Sequence, residues 1–130
     1  MLAEVERCAH TVRVRLLIVE DHADTAELLA SLLEMRGHVV KTASTVREAL
    51  ALAIAEPFDV LLSDVGLPDE SGYDLMRKLR AMMPIKGIAM SGWGRDQDIA
   101  MSRDAGFMEH LTKPVAMKKL EHALERAQTP

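Results

Sequence analysis

The chain has 130 residues, 48% of them hydrophobic, which suits one domain with one packed core. A formal net charge of −4 and the absence of a long basic run argue against nucleic-acid binding. A single cysteine, Cys8, excludes an intrachain disulfide. No apolar run approaches the roughly 20 residues of a membrane span. We therefore expect a cytoplasmic chain without a signal peptide or membrane contact.

The first half of the chain alternates short apolar runs with helical patterns. The runs Val14–Val19, His38–Ala43 and Phe58–Ser63 predict three strands, the second of them at a sheet edge because it is less apolar. Capping boxes that begin at Asp24 and Thr45 predict the starts of two intervening helices. Helical spacing predicts their buried faces: Leu28, Leu29, Leu32, Leu33 and Met35 in the first helix, and Val46, Ala49, Leu50, Ala53 and Ile54 in the second.

The second half continues this alternation. A loop rich in glycine and proline, residues 66–72, precedes a third helix, and Ile85–Met90 predicts a fourth strand. A weakly amphipathic fourth helix follows over Arg95–Ala105, and Phe107–Leu111 predicts a fifth strand. Helical spacing predicts two more buried faces: Leu75, Met76, Leu79 and Met82 in the third helix, and Leu120, Ala123, Leu124 and Ala127 in the last.

Five successive strand–helix units predict an α/β fold, in which a parallel sheet is covered by helices on both faces. A doubly wound sheet of five strands favours the order 2-1-3-4-5, which makes the first and third strands neighbours at the topological switch point. Ligands of such folds bind there, beyond the carboxyl ends of the strands. We predict this domain over residues 13–128, with residues 1–12 as an N-terminal extension.

Polar side chains follow the carboxyl ends of four predicted strands. Glu20 and Asp21 follow the first strand, Asp64 the third, Ser91 the fourth and Lys113 the fifth. Each alone is an ordinary polar residue at a strand end. Because the carboxyl ends of parallel strands share one edge of the sheet, all five are expected to lie close together, and this predicts a functional site.

Three carboxylates held close together repel one another unless a cation intervenes. Mg²⁺ prefers oxygen ligands and commonly binds one or two carboxylates together with a phosphate oxygen. In such a site Asp64 would be the nucleophile that accepts a phosphoryl group, Lys113 the neutralising cation and Ser91 a hydroxyl donor. The pattern therefore predicts an aspartyl-phosphate site that uses Mg²⁺.

These residues, in this order along the chain, resemble the signature of response-regulator receiver domains of two-component signalling. The segment from Asp64 to Gly72 is similar to the family's loop after the phospho-acceptor, and the resemblance covers nearly the whole chain. It implies a flavodoxin-like (βα)5 fold with Asp64 as the phosphorylation site. It also implies that Mg²⁺ is held by Glu20, Asp21, Asp64 and the main-chain carbonyl of Gly66.

The resemblance assigns roles to other residues as well. Ser91 would be the switch hydroxyl and Lys113 the phosphate-pairing cation, with a cis peptide bond before Pro114. His110 stands three residues before the lysine, where the family often has a Tyr or Phe whose ring reports phosphorylation to the face of the fourth helix, fifth strand and last helix. We expect His110 to occupy this switch position with atypical output coupling, because imidazole can titrate. The alternative is an ordinary half-exposed strand histidine.

Two neighbours of the predicted site affect its chemistry. Gly66 offers no side chain to shield a phosphoryl group and Trp93 could overhang it, so both are expected to tune the phosphoryl lifetime. The strongest rival function is a small Mg²⁺-dependent phosphatase of the haloacid-dehalogenase type, which normally carries a second acid where this chain has Gly66. An FMN carrier is a second rival, but the acidic segment Glu20–Asp24 would repel the phosphate of FMN.

The resemblance implies a histidine kinase or a histidine phosphotransfer protein as the phosphoryl donor, and an effector that the sequence does not name. The chain would not be an enzyme that turns over a free substrate, although it would catalyse its own phosphorylation and dephosphorylation. We expect a monomer, or a weak dimer formed through the face of the fourth helix, fifth strand and last helix. Residues 63–69 and 109–115 are similar to receivers of hybrid sensor histidine kinases, and both a stand-alone regulator and a hybrid-kinase receiver stay open.

Overall fold

The computed structural model describes residues 13–128, so the predicted extension over residues 1–12 lies outside the described residues. Strands and helices alternate along the chain, and between residues 13 and 128 no helix is long and apolar enough to cross a membrane. The strands are β1 (Arg15–Val19), β2 (Val39–Ala43), β3 (Val60–Asp64), β4 (Lys86–Ser91) and β5 (Glu109–Thr112). The helices are α1 (Ala23–Met35), α2 (Val46–Ala55), α3 (Gly72–Met82), α4 (Asp96–Ala105) and α5 (Met117–Gln128).

The five strands form one parallel sheet in the order β2-β1-β3-β4-β5, which confirms the predicted topology and the edge position of β2. The pairing register determines which residues meet at the end of the sheet. Val19 lies beside Ser63 on β3, and Asp64 lies beside Met90 on β4. Ser91 in turn lies beside Thr112 on β5. The residues that follow these positions therefore meet at one edge of the sheet.

Helices cover both faces of the sheet, which explains why the central strands are mainly apolar and buried. Leu16 and Ile18 point to the side covered by α1 and α5, while Leu17 and Val19 point to the side covered by α2 and α3. All four side chains are fully buried. The core is mainly aliphatic, and the buried aromatic residues Phe58, Tyr73 and Phe107 lie on its α2–α3 side.

The start of α1 corrects the predicted capping box at Asp24. The N-cap is His22, whose ring nitrogen Nδ1 accepts a hydrogen bond from the backbone N–H of Thr25 at 3.3 Å. Asp24 lies in the first helical turn, where a negative charge interacts favourably with the helix dipole. Imidazole is an uncommon capping group, so the sequence pattern favoured the wrong acceptor.

Four residues predicted to be buried are exposed: Leu28 (61%), Met35 (81%), Ile54 (72%) and Met82 (50%). Each helix touches the sheet along a narrow line, and in α1 this line is Ala26, Leu29 and Leu33. Leu28 lies on a different side of the helix from these residues, so it faces solvent although its spacing is roughly helical.

The predicted starts of the third and fifth strands also shift, and β5 begins at Glu109 instead of Phe107. The third strand was predicted from Phe58, yet ladder pairing begins at Val60 beside Leu16. Asp59 instead uses its carboxylate to accept the backbone N–H of Arg15 at 2.9 Å. Phe58 is buried as a core residue outside the strand, so its apolar side chain indicated burial and not strand pairing.

The predicted cap of α2 at Thr45 is confirmed, and a distant residue extends it. Thr45 Oγ1 accepts the N–H of Glu48 at 3.0 Å. The two carboxylate oxygens of Asp69, in the loop after β3, accept the N–H groups of Val46 and Arg47, each at 3.0 Å. This loop is thereby tied to the start of α2, next to the functional edge.

Candidate functional site

The sheet edge brings together the three carboxylates that the sequence predicted. Glu20 and Asp21 directly follow β1, and Asp64 is the last residue of the adjacent strand β3. One oxygen of each carboxylate lies within 4.8 Å of the others. Glu20 is 1% exposed, Asp64 is half-buried and Asp21 faces solvent, so the cluster opens outward through Asp21.

Lys113 bridges two of these carboxylates. Its Nζ atom donates to Glu20 Oε1 at 2.7 Å and to Asp64 Oδ2 at 3.0 Å. Burial of the ammonium opposes its charge, but the hydrogen bonds to both carboxylates and their negative charges outweigh this and raise the pKa of Lys113 above its usual value. The lysine is therefore charged at neutral pH and neutralises part of the cluster.

The chain fixes Lys113 from both sides. Its backbone N–H donates to the carbonyl of Ser91 at 2.7 Å, which continues the β4–β5 pairing past the end of β5. The peptide bond from Lys113 to Pro114 is cis, as predicted. Lys113 thus reaches Glu20 across the sheet from a defined backbone position.

The remaining charge at this edge fits a divalent cation. Three carboxylates and one ammonium leave two formal negative charges. Glu20 has both oxygens engaged, because Oε2 accepts the N–H of His22 at 3.2 Å while Oε1 pairs with the lysine. Asp21 and Asp64 lie on the open side, and clustered carboxylate oxygens are the ligands that Mg²⁺ prefers.

The loop after Asp64 turns back tightly against the strand end. Gly72 donates its N–H to the carbonyl of Val65 at 2.7 Å, and Gly66 and Ser71 form an isolated bridge. A Cβ atom on Gly72 would lie 2.2 Å from the carbonyl oxygen of Asp64, so the close approach requires glycine. Gly66 lies exposed beside Asp64, with its backbone nitrogen 3.4 Å from Asp64 Oδ1.

Ser91 lies at the end of β4, one residue beyond the partner of Asp64, and is 7% exposed. Its hydroxyl donates to the carbonyl of Trp93 at 2.5 Å and accepts the N–H of the same residue at 3.2 Å. The backbone of Trp93 therefore engages Ser91, while its ring is 64% exposed with the Arg95 guanidinium 5.1 Å from the ring centroid. A role of the ring in phosphoryl lifetime stays a prediction.

His110 lies beside Ser91 and makes more contacts than the sequence indicated. Its role as a switch residue stays a prediction. Nε2 lies 2.8 Å from the Ser91 hydroxyl and 2.9 Å from the Trp93 carbonyl. Nδ1 lies 2.6 Å from the hydroxyl of Ser102, a residue of α4 that is 2% exposed. Sequence reasoning missed Ser102, although its spacing of three residues from Ala105, the other buried residue of this helix, places it on the inner face of α4.

The family of response regulator receiver domains matches residues 16–125, which include every residue of this edge. The chain belongs to the response regulator receiver domain family. Among solved structures, a CheY-like receiver domain protein from Methanospirillum hungatei is 30% identical with a TM-score of 0.80, over 90% of this chain and 98% of that one. The receiver fold predicted from the sequence is thereby confirmed.

Curated relatives place similar receiver domains in larger proteins. The response regulator protein PilR of Pseudomonas aeruginosa is 35% identical over 88% of this chain and 26% of its own length. The virulence sensor protein BvgS of Bordetella pertussis is 33% identical over 89% of this chain and 10% of its own length. The chain thus spans a minor part of both relatives, and the receiver domain is the part they share with it.

Proposed function

We propose that this receiver domain accepts a phosphoryl group on Asp64 from a phosphohistidine of a histidine kinase or histidine phosphotransfer protein. The observation that supports this most directly is the position of Asp64. Its carboxylate lies within 4.8 Å of two further carboxylates and 3.0 Å from the Lys113 ammonium. That arrangement combines a nucleophile, a fixed positive charge and a metal-binding set at one open edge.

The transfer needs little covalent help from the protein. A carboxylate oxygen of Asp64 forms the new O–P bond while the P–N bond of the phosphohistidine breaks, and its electron pair stays on the imidazole nitrogen of the donor. The Lys113 ammonium, already adjacent to Asp64 Oδ2, stabilises negative charge on the phosphoryl oxygens. The hydroxyl of Ser91 would donate to another of these oxygens after it releases the carbonyl of Trp93.

Glu20, Asp21 and Asp64 fit Mg²⁺, with the main-chain carbonyl of Gly66 as a further ligand. Bound there, the ion would neutralise charge on the transferred group and orient it for in-line attack. The fit rests on the donor set, which consists of oxygens, and on the two uncompensated negative charges at this edge. Glu20 is held by its two hydrogen bonds, so it would support the site while Asp21 faces the open side.

The output surface of the domain would be the face of α4, β5 and α5. His110 is the residue that joins this face to the site, since it contacts Ser91 on one side and α4 on the other. We propose that the domain acts as a monomer or weak dimer through this face. It would catalyse its own phosphorylation and dephosphorylation and would not turn over a free substrate.

The wider setting of the domain follows from its relatives by analogy. BvgS is named a sensor protein and PilR a response regulator protein, so a receiver of this kind serves in both settings. We propose a cytoplasmic two-component phosphorelay for this chain, as a stand-alone regulator or as the receiver of a hybrid histidine kinase.

The phosphatase alternative is disfavoured by the family match and by the residue two positions after the nucleophile. Gly66 stands there, and it has no carboxyl group to protonate a leaving alcohol. Rapid turnover of a small phosphate ester by the purified chain would revive that alternative.

Phosphorylation of Asp64 is tested with acetyl phosphate, a small phosphoryl donor, and Mg²⁺. Intact-mass measurement should show one added phosphoryl group in the parent protein and none in Asp64→Asn. Asp104→Asn, which changes an exposed carboxylate on α4, should behave as the parent. In parallel, the fluorescence of the single tryptophan, Trp93, should respond to Mg²⁺ and then to beryllofluoride. Absence of Mg²⁺-dependent phosphorylation in the parent would refute the proposal.

A further inference from the structure

A chain of side-chain hydrogen bonds joins helix α4 to the phosphorylation site. It runs from the Ser102 hydroxyl to His110 Nδ1 at 2.6 Å, and from His110 Nε2 to the Ser91 hydroxyl at 2.8 Å. Ser102 and Ser91 are both buried, at 2% and 7% exposure. Buried hydroxyl groups need partners. The histidine ring supplies one to Ser102 and a further one to Ser91, whose hydroxyl also bonds the backbone of Trp93.

The contacts assign the proton on the His110 ring. The carbonyl of Trp93, 2.9 Å from Nε2, can accept a hydrogen bond but cannot donate one, so Nε2 carries the hydrogen. In the neutral ring Nδ1 then has no hydrogen and accepts from the Ser102 hydroxyl. A serine inside a helix commonly bonds the carbonyl four residues earlier, so the engagement of Ser102 with His110 is a specific tertiary contact.

The Ser91 hydroxyl is held away from phosphoryl binding in this arrangement. It has one hydrogen, which it donates to the Trp93 carbonyl at 2.5 Å, and it accepts from His110 Nε2. To donate to a phosphoryl oxygen on Asp64, Ser91 must give up its bond to the Trp93 carbonyl. The stability of the His110 network therefore opposes occupation of the site.

We propose that Ser102 is a positioning residue that holds the His110 ring in the Nε2–H form, restrains the Ser91 hydroxyl, and so couples α4 to occupancy of the phosphorylation site. This inference rests on the proposed function of Asp64. A groove of about 200 Å³ beside the ring, lined in part by Ile99 and Met108, gives His110 room to turn when the Ser102 bond is absent.

The test compares the wild type with Ser102→Ala, Ser102→Thr and Ser102→Cys. Long-range proton–nitrogen spectra of histidine-labelled protein report the tautomer of His110, whose signals are assigned by their loss in His110→Gln. The wild type and Ser102→Thr, which keep the hydroxyl, should show the Nε2–H form. In Ser102→Ala, His110 should no longer be confined to the Nε2–H form. Ser102→Cys has a weaker donor of similar size, so its population of this form should lie between those of the wild type and Ser102→Ala.

The second measurement is the affinity for beryllofluoride in saturating Mg²⁺, followed by calorimetry. Because one buried hydrogen bond that favours the unoccupied state is lost, Ser102→Ala should bind about three- to tenfold more tightly than the wild type. Ser102→Thr should bind as the wild type does, and if threonine prevents folding, Ser102→Cys should bind with intermediate affinity. Mg²⁺ affinity alone should be equal in all of them, since Ser102 is not at the carboxylate cluster.

An unchanged His110 tautomer in Ser102→Ala would overturn the inference, and so would an altered tautomer with unchanged beryllofluoride affinity. The failure of the proposed function looks different, because no variant and not even the wild type would then bind beryllofluoride. The tautomer comparison in metal-free protein would in that case still test whether Ser102 positions the ring.

Discussion

The ammonium of Lys113 donates a 2.7 Å hydrogen bond to Glu20, a carboxylate that is 1% exposed. The two residues come from opposite ends of the chain and meet because β1 and β5 end at the same edge of the sheet. Removing the cationic partner of a buried carboxylate strongly destabilises the folded protein. The pair therefore stabilises the metal-free protein and sets the charge that a bound cation meets.

Replacing Lys113 with a neutral residue should make the free energy of unfolding depend on Mg²⁺. Without Mg²⁺, Lys113→Ala should lower the free energy of unfolding by about 2 kcal/mol, the scale of a hydrogen bond to a charged group. Added Mg²⁺ should restore much of the loss, because it supplies positive charge to the same carboxylates. Urea denaturation with and without Mg²⁺ measures both effects. Lys78→Ala, which removes an exposed pair with Glu70, is the control and should show little change in either condition.

The close approach of Gly72 to Asp64 predicts a large effect from one added methyl group. A Cβ atom on Gly72 would meet backbone atoms of Asp64 and Val65, which cannot move aside as a flexible side chain can. Gly72→Ala should destabilise the domain by about 1–3 kcal/mol. It should also slow the proposed phosphorylation by acetyl phosphate, because Asp64 is displaced. Gly92→Ala is the matched control, since nothing lies within 4 Å of its added Cβ. Equal stability of the two variants would contradict the steric argument.

The carboxylate of Asp69 predicts a pH-dependent contribution to stability. The backbone N–H of Val46 above all, and that of Arg47, lower the pKa of Asp69 below its usual value, although desolvation acts in the opposite direction. A group with a lowered pKa in the folded state stabilises above its unfolded pKa, and the effect is lost as the pH falls through the folded pKa. Asp69→Asn should therefore lower Tm at pH 7.

The difference in Tm between the wild type and Asp69→Asn should shrink as the pH falls below about 4, the unfolded aspartate pKa, and should disappear below the lower pKa of folded Asp69. Protonated aspartic acid and asparagine are both neutral acceptors, so the two proteins then present the same cap to α2. Thermal unfolding over a pH series measures this convergence. A constant difference at all pH values would show that the charge of Asp69 is not what stabilises α2.

The ring of His38 predicts a second pH effect, near neutrality. Its Nδ1 accepts the N–H of Val14 at 3.2 Å, and burial, followed by the charge of Arg36, lowers the pKa of His38 below its usual value. The unfolded chain takes up this proton first, so the stabilisation is present above about pH 6.5 and is lost as the pH falls through the lower, folded pKa. Between pH 7.5 and 5 the wild type should lose more Tm than His38→Gln.

Exposed His122 on α5 offers the control for that comparison. His122→Gln should lose Tm in parallel with the wild type over the same pH range. If His38→Gln also runs parallel to the wild type, then protonation of His38 does not contribute to acid sensitivity in this window.

The sequence by itself determined the topology and the members of the carboxylate site. Apolar runs followed by Glu20, Asp64 and Ser91 predict a parallel sheet with helices on both faces, and the carboxyl ends of its strands share one edge. The pairing of Lys113 with that edge follows from the same rule. Local patterns were sufficient here because each polar residue is placed by its own strand.

Only the tertiary structure decided the contacts between residues that are distant in the chain. The bond of Ser102 to His110, the cap that Asp69 supplies to α2 and the exposure of Leu28 depend on how helices sit on the sheet and on each other. Helical periodicity gives the spacing of a buried face but not its width, and a polar side chain does not specify its partner. Those choices are made by packing, which brings each group to the acceptor, donor or solvent that it meets in the folded domain.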